Sequence, residues 1–131
     1  MKNYEQIRAR NAIAAADTIG TGKEGGRAVA KKVPAMIQSN GFIGAMAFAL
    51  EAKEGYETVF AAVVKHLHDS GTDQGIKETD LEKFLAELCK KDAAVLRAIT
   101  AETMNYLRYL RRFAKPGKSD GKGNQDANDR A

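Results

Sequence analysis

A chain of 131 residues is long enough to bury one real core and too short for two comfortable ones. Its 44% hydrophobic and 29% charged fractions are those of an ordinary soluble protein. The lone Cys89 excludes an internal disulfide and fits a reducing compartment, and net charge is only +4, unevenly spread. Residues 1–32 carry seven basic and three acidic groups, residues 33–107 seven and eleven, and residues 108–115 four basic groups and no acid. Such segregation gives a surface that attracts phosphate at one place and repels it at another.

The first predicted helix runs from about Asn3 to Ile19, its alanines (Ala9, Ala12, Ala14, Ala15, Ala16) favouring helix and close helix approach. Gly20-Thr21-Gly22 breaks it. A second helix spans about Glu24 to Ser39, with Val29, Val33, Met36 and Ile37 inward and Lys23, Arg27 and Lys31 on a ridge at i, i+4, i+8. Lys32 points elsewhere on the wheel, and Gln38 lies near the ridge. Pro34 should kink this helix by removing a donor and crowding the preceding turn. Asn40-Gly41 is a strong stop. A third helix, about Phe42 to Lys53, is apolar on most sides and expected to be the most buried; Glu54-Gly55 then turns the chain.

The fourth helix has the cleanest stripe: Tyr56, Val59, Phe60, Val63, Val64 and Leu67. Asp69 to Lys77 reads as a surface loop. Thr79 with Glu82 forms a capping box that starts a fifth helix bearing Leu81, Phe84, Leu85, Leu88 and Cys89 on one face. Asp92 caps a sixth, which continues to about Ala114. Alternating Val/Ile/Thr runs are missing. The fold expected is therefore all-α: a single compact bundle of about six helices over residues 1–115, then a disordered polar tail over 116–131. The most apolar stretch, Phe42 to Leu50, is shorter than a membrane span, and the N-terminus has no secretory signal pattern. A cytoplasmic protein with no membrane partner is expected.

The sixth helix carries the strongest functional signal. At 100° per residue, Leu96, Ile99, Thr103, Tyr106, Leu110 and Phe113 fall on one side, and Arg97, Arg108, Arg111, Arg112 and Lys115 gather on the other, with Glu102 the only acid between Arg97 and Lys115. Five cations in one arc repel one another, and guanidinium groups bind phosphate bidentately. Cations at a helix C-terminus also complement the macrodipole, but that reaches only the last turn and leaves Arg97 and Arg108 unexplained. Tyr109, flanking the arc, could stack on a base or a sugar.

Apparent enzyme signals fail on inspection. Gly20-Thr21-Gly22-Lys23-Glu24-Gly25 spells G-x-G-x-x-G, but a helix rather than a strand precedes it. His66 and His68 are two apart on a helix and face different ways, so they make a poor metal pair. Cys89 on an apolar stripe reads as an inert core thiol. No catalytic constellation, cofactor or metal site is expected.

Four stretches taken in order carry a resemblance. They are Tyr4-Glu5-Gln6-Ile7-Arg8-Ala9-Arg10-Asn11-Ala12; Lys31-Lys32-Val33-Pro34-Ala35-Met36-Ile37-Gln38-Ser39-Asn40-Gly41; Arg97-Ala98-Ile99-Thr100-Ala101-Glu102; and Tyr106-Leu107-Arg108-Tyr109-Leu110-Arg111-Arg112-Phe113-Ala114. Together they resemble the small helical subunit of the Type III-B CRISPR effector, the Cmr (RAMP module) RNA-targeting complex. One departure is visible: where relatives often have Trp-Leu-Lys-Arg-Phe-Ala, this chain reads Tyr109-Leu110-Arg111-Arg112-Phe113-Ala114.

The resemblance implies a helical bundle without enzymatic activity. Several copies would stack as a short filament beside the RAMP backbone subunits and the large subunit, helping to hold guide RNA paired with target RNA. It implies RNA-facing roles for Arg27, Lys31, Lys32, Arg108, Arg111 and Arg112, and weaker roles, structural or at an interface, for Arg8 and Arg10. Arg97 and Lys115 join the candidate nucleic-acid-binding residues from the helical wheel alone. Two other readings remain: a helical adaptor whose basic faces make only protein contacts, and a small DNA-binding regulator, which would need a recognition helix aimed at base edges.

Overall fold

A computed structural model describes residues 2–19 and 25–115. Among these residues it contains five helices and no strand: α1 (Tyr4–Ala16), α2 (Gly25–Ala52), α3 (Tyr56–Ser70), α4 (Leu81–Leu88) and α5 (Ala93–Phe113). The expected sixth helix is absent because the second and third merge into α2. The Asn40-Gly41 signal is nevertheless real. Gly41 sits at φ 80, ψ 164, the one non-helical position inside α2, and breaks it into two segments. That region of backbone space is open essentially to glycine alone. Pro34 keeps helical dihedrals, so the break falls at the glycine and not at the proline.

Side-chain caps fix where three helices begin. Asn3 accepts from the Gln6 N–H, Asp80 from Lys83 and Asp92 from Val95, each satisfying an orphan donor of the first turn. The cap of α4 is thus Asp80, one residue beyond the Thr79 expected. Asp's carboxylate does the same work as the threonine hydroxyl, and adds a charge favoured at a helix N-terminus.

One core cluster joins all five helices. Its centre is Phe42 against Phe60 edge-on at 5.7 Å, with Met46, Val63, Leu67, Phe84, Tyr106, Leu107 and Leu110 fully buried around it. The most buried helix is α3, not residues 42–52: Tyr56, Val59, Phe60, Val63, Val64, His66, Leu67 and Ser70 are all buried. Residues 42–52 are one-sided, with Phe42, Ala45, Met46 and Ala49 inward and Ala47, Phe48 and Glu51 exposed. Residues 26–52 are also long and apolar enough, by length and mean hydropathy (1.3), to cross a membrane, beyond the short stretch expected from sequence. Here Val29, Ala30, Val33 and Ile37 of that segment lie buried in the bundle.

Residues 69–77, expected as a surface loop, are partly interior. Asp73 and Ile76 are buried, and Asp73 gathers His68 (2.8 Å), the Gly75 N–H (3.0 Å) and Lys77 (3.3 Å). His68 also contacts the Glu78 carbonyl at 2.8 Å, so it pins the turn to the end of α3. Cys89, expected in the core, is exposed at the C-cap of α4, where the helix ends and its apolar stripe no longer meets a neighbour.

Candidate nucleic-acid interface

What places α5 is a polar chain running across α1, α3 and α5, buried at His66 and Glu102 and reaching the surface at Asp69 and Arg10. Arg8 clasps Glu102 in a two-pronged ion pair, Nε to Oε2 at 2.9 Å and Nη2 to Oε1 at 2.8 Å. The fully buried His66 ring lies 2.8 Å from the same carboxylate through Nε2 and 2.9 Å from the Asn11 amide nitrogen through Nδ1. Asn11 also donates to Asp69 at 3.1 Å, and Asp69 receives Arg10 at 2.7 Å.

Proton positions follow from this order of contacts. The Asp69 carboxylate requires an N–H from Asn11; Asn11 therefore presents its nitrogen to His66, whose Nδ1 must accept. His66 is then the Nε2–H tautomer, donating to Glu102. Tyr106 stacks on the ring at 4.2 Å and 8°, and its hydroxyl donates to the Asn11 carbonyl at 3.4 Å. Burial pushes the Tyr106 phenol up. Burial would also raise the Glu102 carboxyl, but the hydrogen bonds from Arg8 and His66 outweigh it and hold the carboxyl down at about 2. Arg8 is thus committed to the clasp, whereas Arg10 remains exposed and pairs with Asp69 at the surface. The acid that interrupts the arginine arc in sequence is turned inward and neutralised.

The contacts run in register: Arg8 meets Glu102, Asn11 meets Tyr106, and Lys115 bridges Asp17 at 2.9 Å. Helices α1 and α5 are therefore parallel neighbours. At the far end α2 is fastened to them. The Arg27 Nε donates to the Ala114 carbonyl at 3.0 Å, and its backbone N–H to the Lys115 carbonyl at 3.1 Å. These carbonyls belong to the C-cap residue of α5 and the residue after it, so Arg27 ties the chain leaving α5 to the start of α2.

The predicted basic residues consequently divide. Arg97, Arg108, Arg111 and Arg112 are exposed on α5 and have no acidic partner among the described residues. Arg108, Tyr109, Arg111 and Arg112 frame one open surface hollow. Arg97 lies on the same face about 16 Å away at 1.5 Å per residue, so it stands apart from the other three. Lys115 is exposed but bridged to Asp17. Arg27 is half-buried and committed to the end of α5; Lys31, one turn on, is exposed. Lys32 lines a different groove, with Ala35, Met36, Asn40, Phe48 and Tyr56. Lys23 of the expected ridge lies outside the described residues. Two sequence segments more than 80 residues apart thus meet, but through one arginine bound to the chain just past α5 and not as a continuous track.

Phe113 departs from the wheel reading. It was expected to face inward with Leu110, yet is 41% exposed. The neighbouring Ala114 is fully buried and leaves the helix in an extended conformation, so the inward position past Leu110 is taken by the backbone turn.

Among the described residues, no group of three or more His, Cys, Asp or Glu side chains gathers where a metal ion could sit. The arrangement is an all-helical bundle with a cluster of exposed guanidinium groups at the end of α5. The family model for CRISPR-associated protein (Cas_Cmr5) matches residues 4–116, and the chain belongs to that family. It is accordingly a small subunit of a Type III-B Cmr complex, acting in CRISPR defence beside the other Cmr subunits. No curated protein and no solved structure matches it.

Proposed function

We propose that this chain is a non-catalytic RNA-holding subunit: within the cytoplasmic effector it secures the guide–target duplex by phosphate contacts from Arg108, Arg111 and Arg112. The observation that carries the reading is the exposure of three arginines within about one turn of α5, none paired to an acid among the described residues. Such a cluster is costly to assemble and is relieved by a polyanion. Phosphate contacts of this kind hold a duplex by shape and leave sequence to base pairing. Lys31 and Arg97 supply outlying charge. The segregated charge of the chain, basic at 1–32 and 108–115 and acidic between, favours head-to-tail stacking of copies beside the backbone subunits, an attraction screened within about 8–10 Å at ordinary ionic strength.

The test replaces all three arginines with glutamate in the reconstituted effector. Folding should survive, because all three side chains are exposed. Target binding should weaken similarly for every sequence, and the log–log salt slope should fall by roughly two to three per copy engaged. A mutant complex that assembles and binds target with unchanged affinity and slope refutes the proposal. Failure of assembly would make the arc a protein interface, the adaptor reading.

A further inference from the structure

Two ridges run side by side at the end of α5. Arg108 and Arg112 form one at i, i+4, and Tyr109 and Phe113 form the next, displaced by one residue or about 100° around the helix. Members of each ridge are about 6 Å apart along the axis. The cationic ridge is exposed. Tyr109 is half-buried against the core and shares the surface hollow with the arginines, while Phe113 stands 41% exposed.

Phe113 is not left out by fraying. The next residue is fully buried, its N–H bonds the Leu110 carbonyl at 2.9 Å, and its own carbonyl is held by Arg27 at 3.0 Å. The chain therefore fixes the backbone on the C-terminal side of a large aromatic that it holds against water. Phe113 does not line the arginine hollow itself but follows Arg112 in the chain and lies one turn beyond Tyr109, which does. An exposed ring on the ridge next to guanidinium groups suits one chemistry well: a nucleobase stacked on the ring while its phosphates lie on the arginines. A fully paired duplex cannot supply that base, since its rings are already stacked inside.

We infer that the end of α5 takes an unpaired nucleotide, stacked on Phe113 at the edge formed with Tyr109, next to the phosphates held by Arg108 and Arg112. This rests on the reading of the arginine cluster as a phosphate site and adds to it a preference for a base that is free of its partner strand.

The experiment uses the full chain at low ionic strength, titrated into a single-stranded RNA of about twelve nucleotides containing 2-aminopurine, and into the same strand fully paired. With the wild type, the probe's fluorescence in the single strand should be quenched on binding. Phe113→Ala should lose that quench and bind the single strand roughly five- to a hundredfold more weakly, with its salt slope unchanged because no charge is removed. Its affinity for the paired duplex should match the wild type, and Phe113→Trp should restore both quench and affinity.

If Phe113→Ala binds and quenches as the wild type does, or Phe113→Trp restores neither, the inference is wrong while the arginine reading stands. Equal losses on single strand and duplex would also overturn it. If the ring matters only for assembly of the effector and not for RNA, Phe113 is a protein contact and the inference again fails. A wild type that binds neither RNA removes the arginine reading as well.

Discussion

Replacing Glu102 with glutamine should unsettle the bundle more than any surface change in it. The side chain is nearly isosteric, so packing is preserved and the charge is what changes. Glu102 accepts from Arg8 Nε at 2.9 Å, Arg8 Nη2 at 2.8 Å and His66 Nε2 at 2.8 Å. Glutamine keeps one acceptor oxygen and turns an NH₂ toward one of these donors, leaving a guanidinium that is only 20% exposed without its counter-charge. Breaking one side of a buried pair costs about 3–5 kcal/mol; with Arg8 partly wetted, about 2–4 kcal/mol is expected.

For a domain of this size that is on the order of 10 °C in Tm. The sign of the pH dependence is fixed by the carboxyl, which lies lower in the folded protein (about 2) than its ordinary 4.5. Its stabilisation is therefore complete above about 4.5 and is lost as pH falls toward about 2. After discounting for solvent screening it amounts to about 2–3 kcal/mol. Urea unfolding of wild type and Glu102→Gln from pH 7 downward should give a wide gap at neutrality that narrows across this window. A gap under about 0.5 kcal/mol at pH 7, or one that persists unchanged at pH 2, refutes the account.

Gly41→Ala should lower stability by about 1–3 kcal/mol: no atom lies within 4 Å of the added Cβ, so the whole cost is the backbone at φ +80. A denaturation midpoint equal to wild type would mean that α2 runs straight through. Cys89 should react fully with a thiol reagent in the native state, since it is exposed at a helix end; protection until denaturant is added would return it to the core.

What could be read from the sequence was whatever neighbours in the chain decide. The stripe of α3 needs only residues three and four apart, the Asp92 cap needs only Val95, and the break at Gly41 needs only a backbone position that glycine tolerates. The charge arc of α5 was legible for the same reason. What sequence could not supply was pairing across the bundle. In sequence Glu102 is merely the only acid between Arg97 and Lys115, because its partners, Arg8 and His66, are 94 and 36 residues away. Sequence spacing relates His66 only to its neighbour His68, whereas its partners in the fold are Asn11, Glu102 and Tyr106. Phe113 and Cys89 were placed by extending a stripe into the last turn, where the helix ends and the next element no longer covers it.

The parallel pairing of α1 with α5 also sets an order of events during synthesis. Helical bundles usually close through contacts between residues near in sequence. Here Arg8 of the first helix made finds its counter-charge 94 residues later, and the bond from Arg27 to the Ala114 carbonyl waits 87. At roughly 5–20 residues per second, α1 can meet α3 through Arg10 and Asp69 once 59 further residues are made, but its α5 face waits on the order of 5–20 s. Until the last helix leaves the ribosome, Arg8 has no counter-charge and the α1 face that ends up against α5 remains in water. A message cut short before Glu102 would thus yield a chain that cannot form the clasp with Arg8, and the guanidinium cluster is presented in its final setting only by a chain translated through α5.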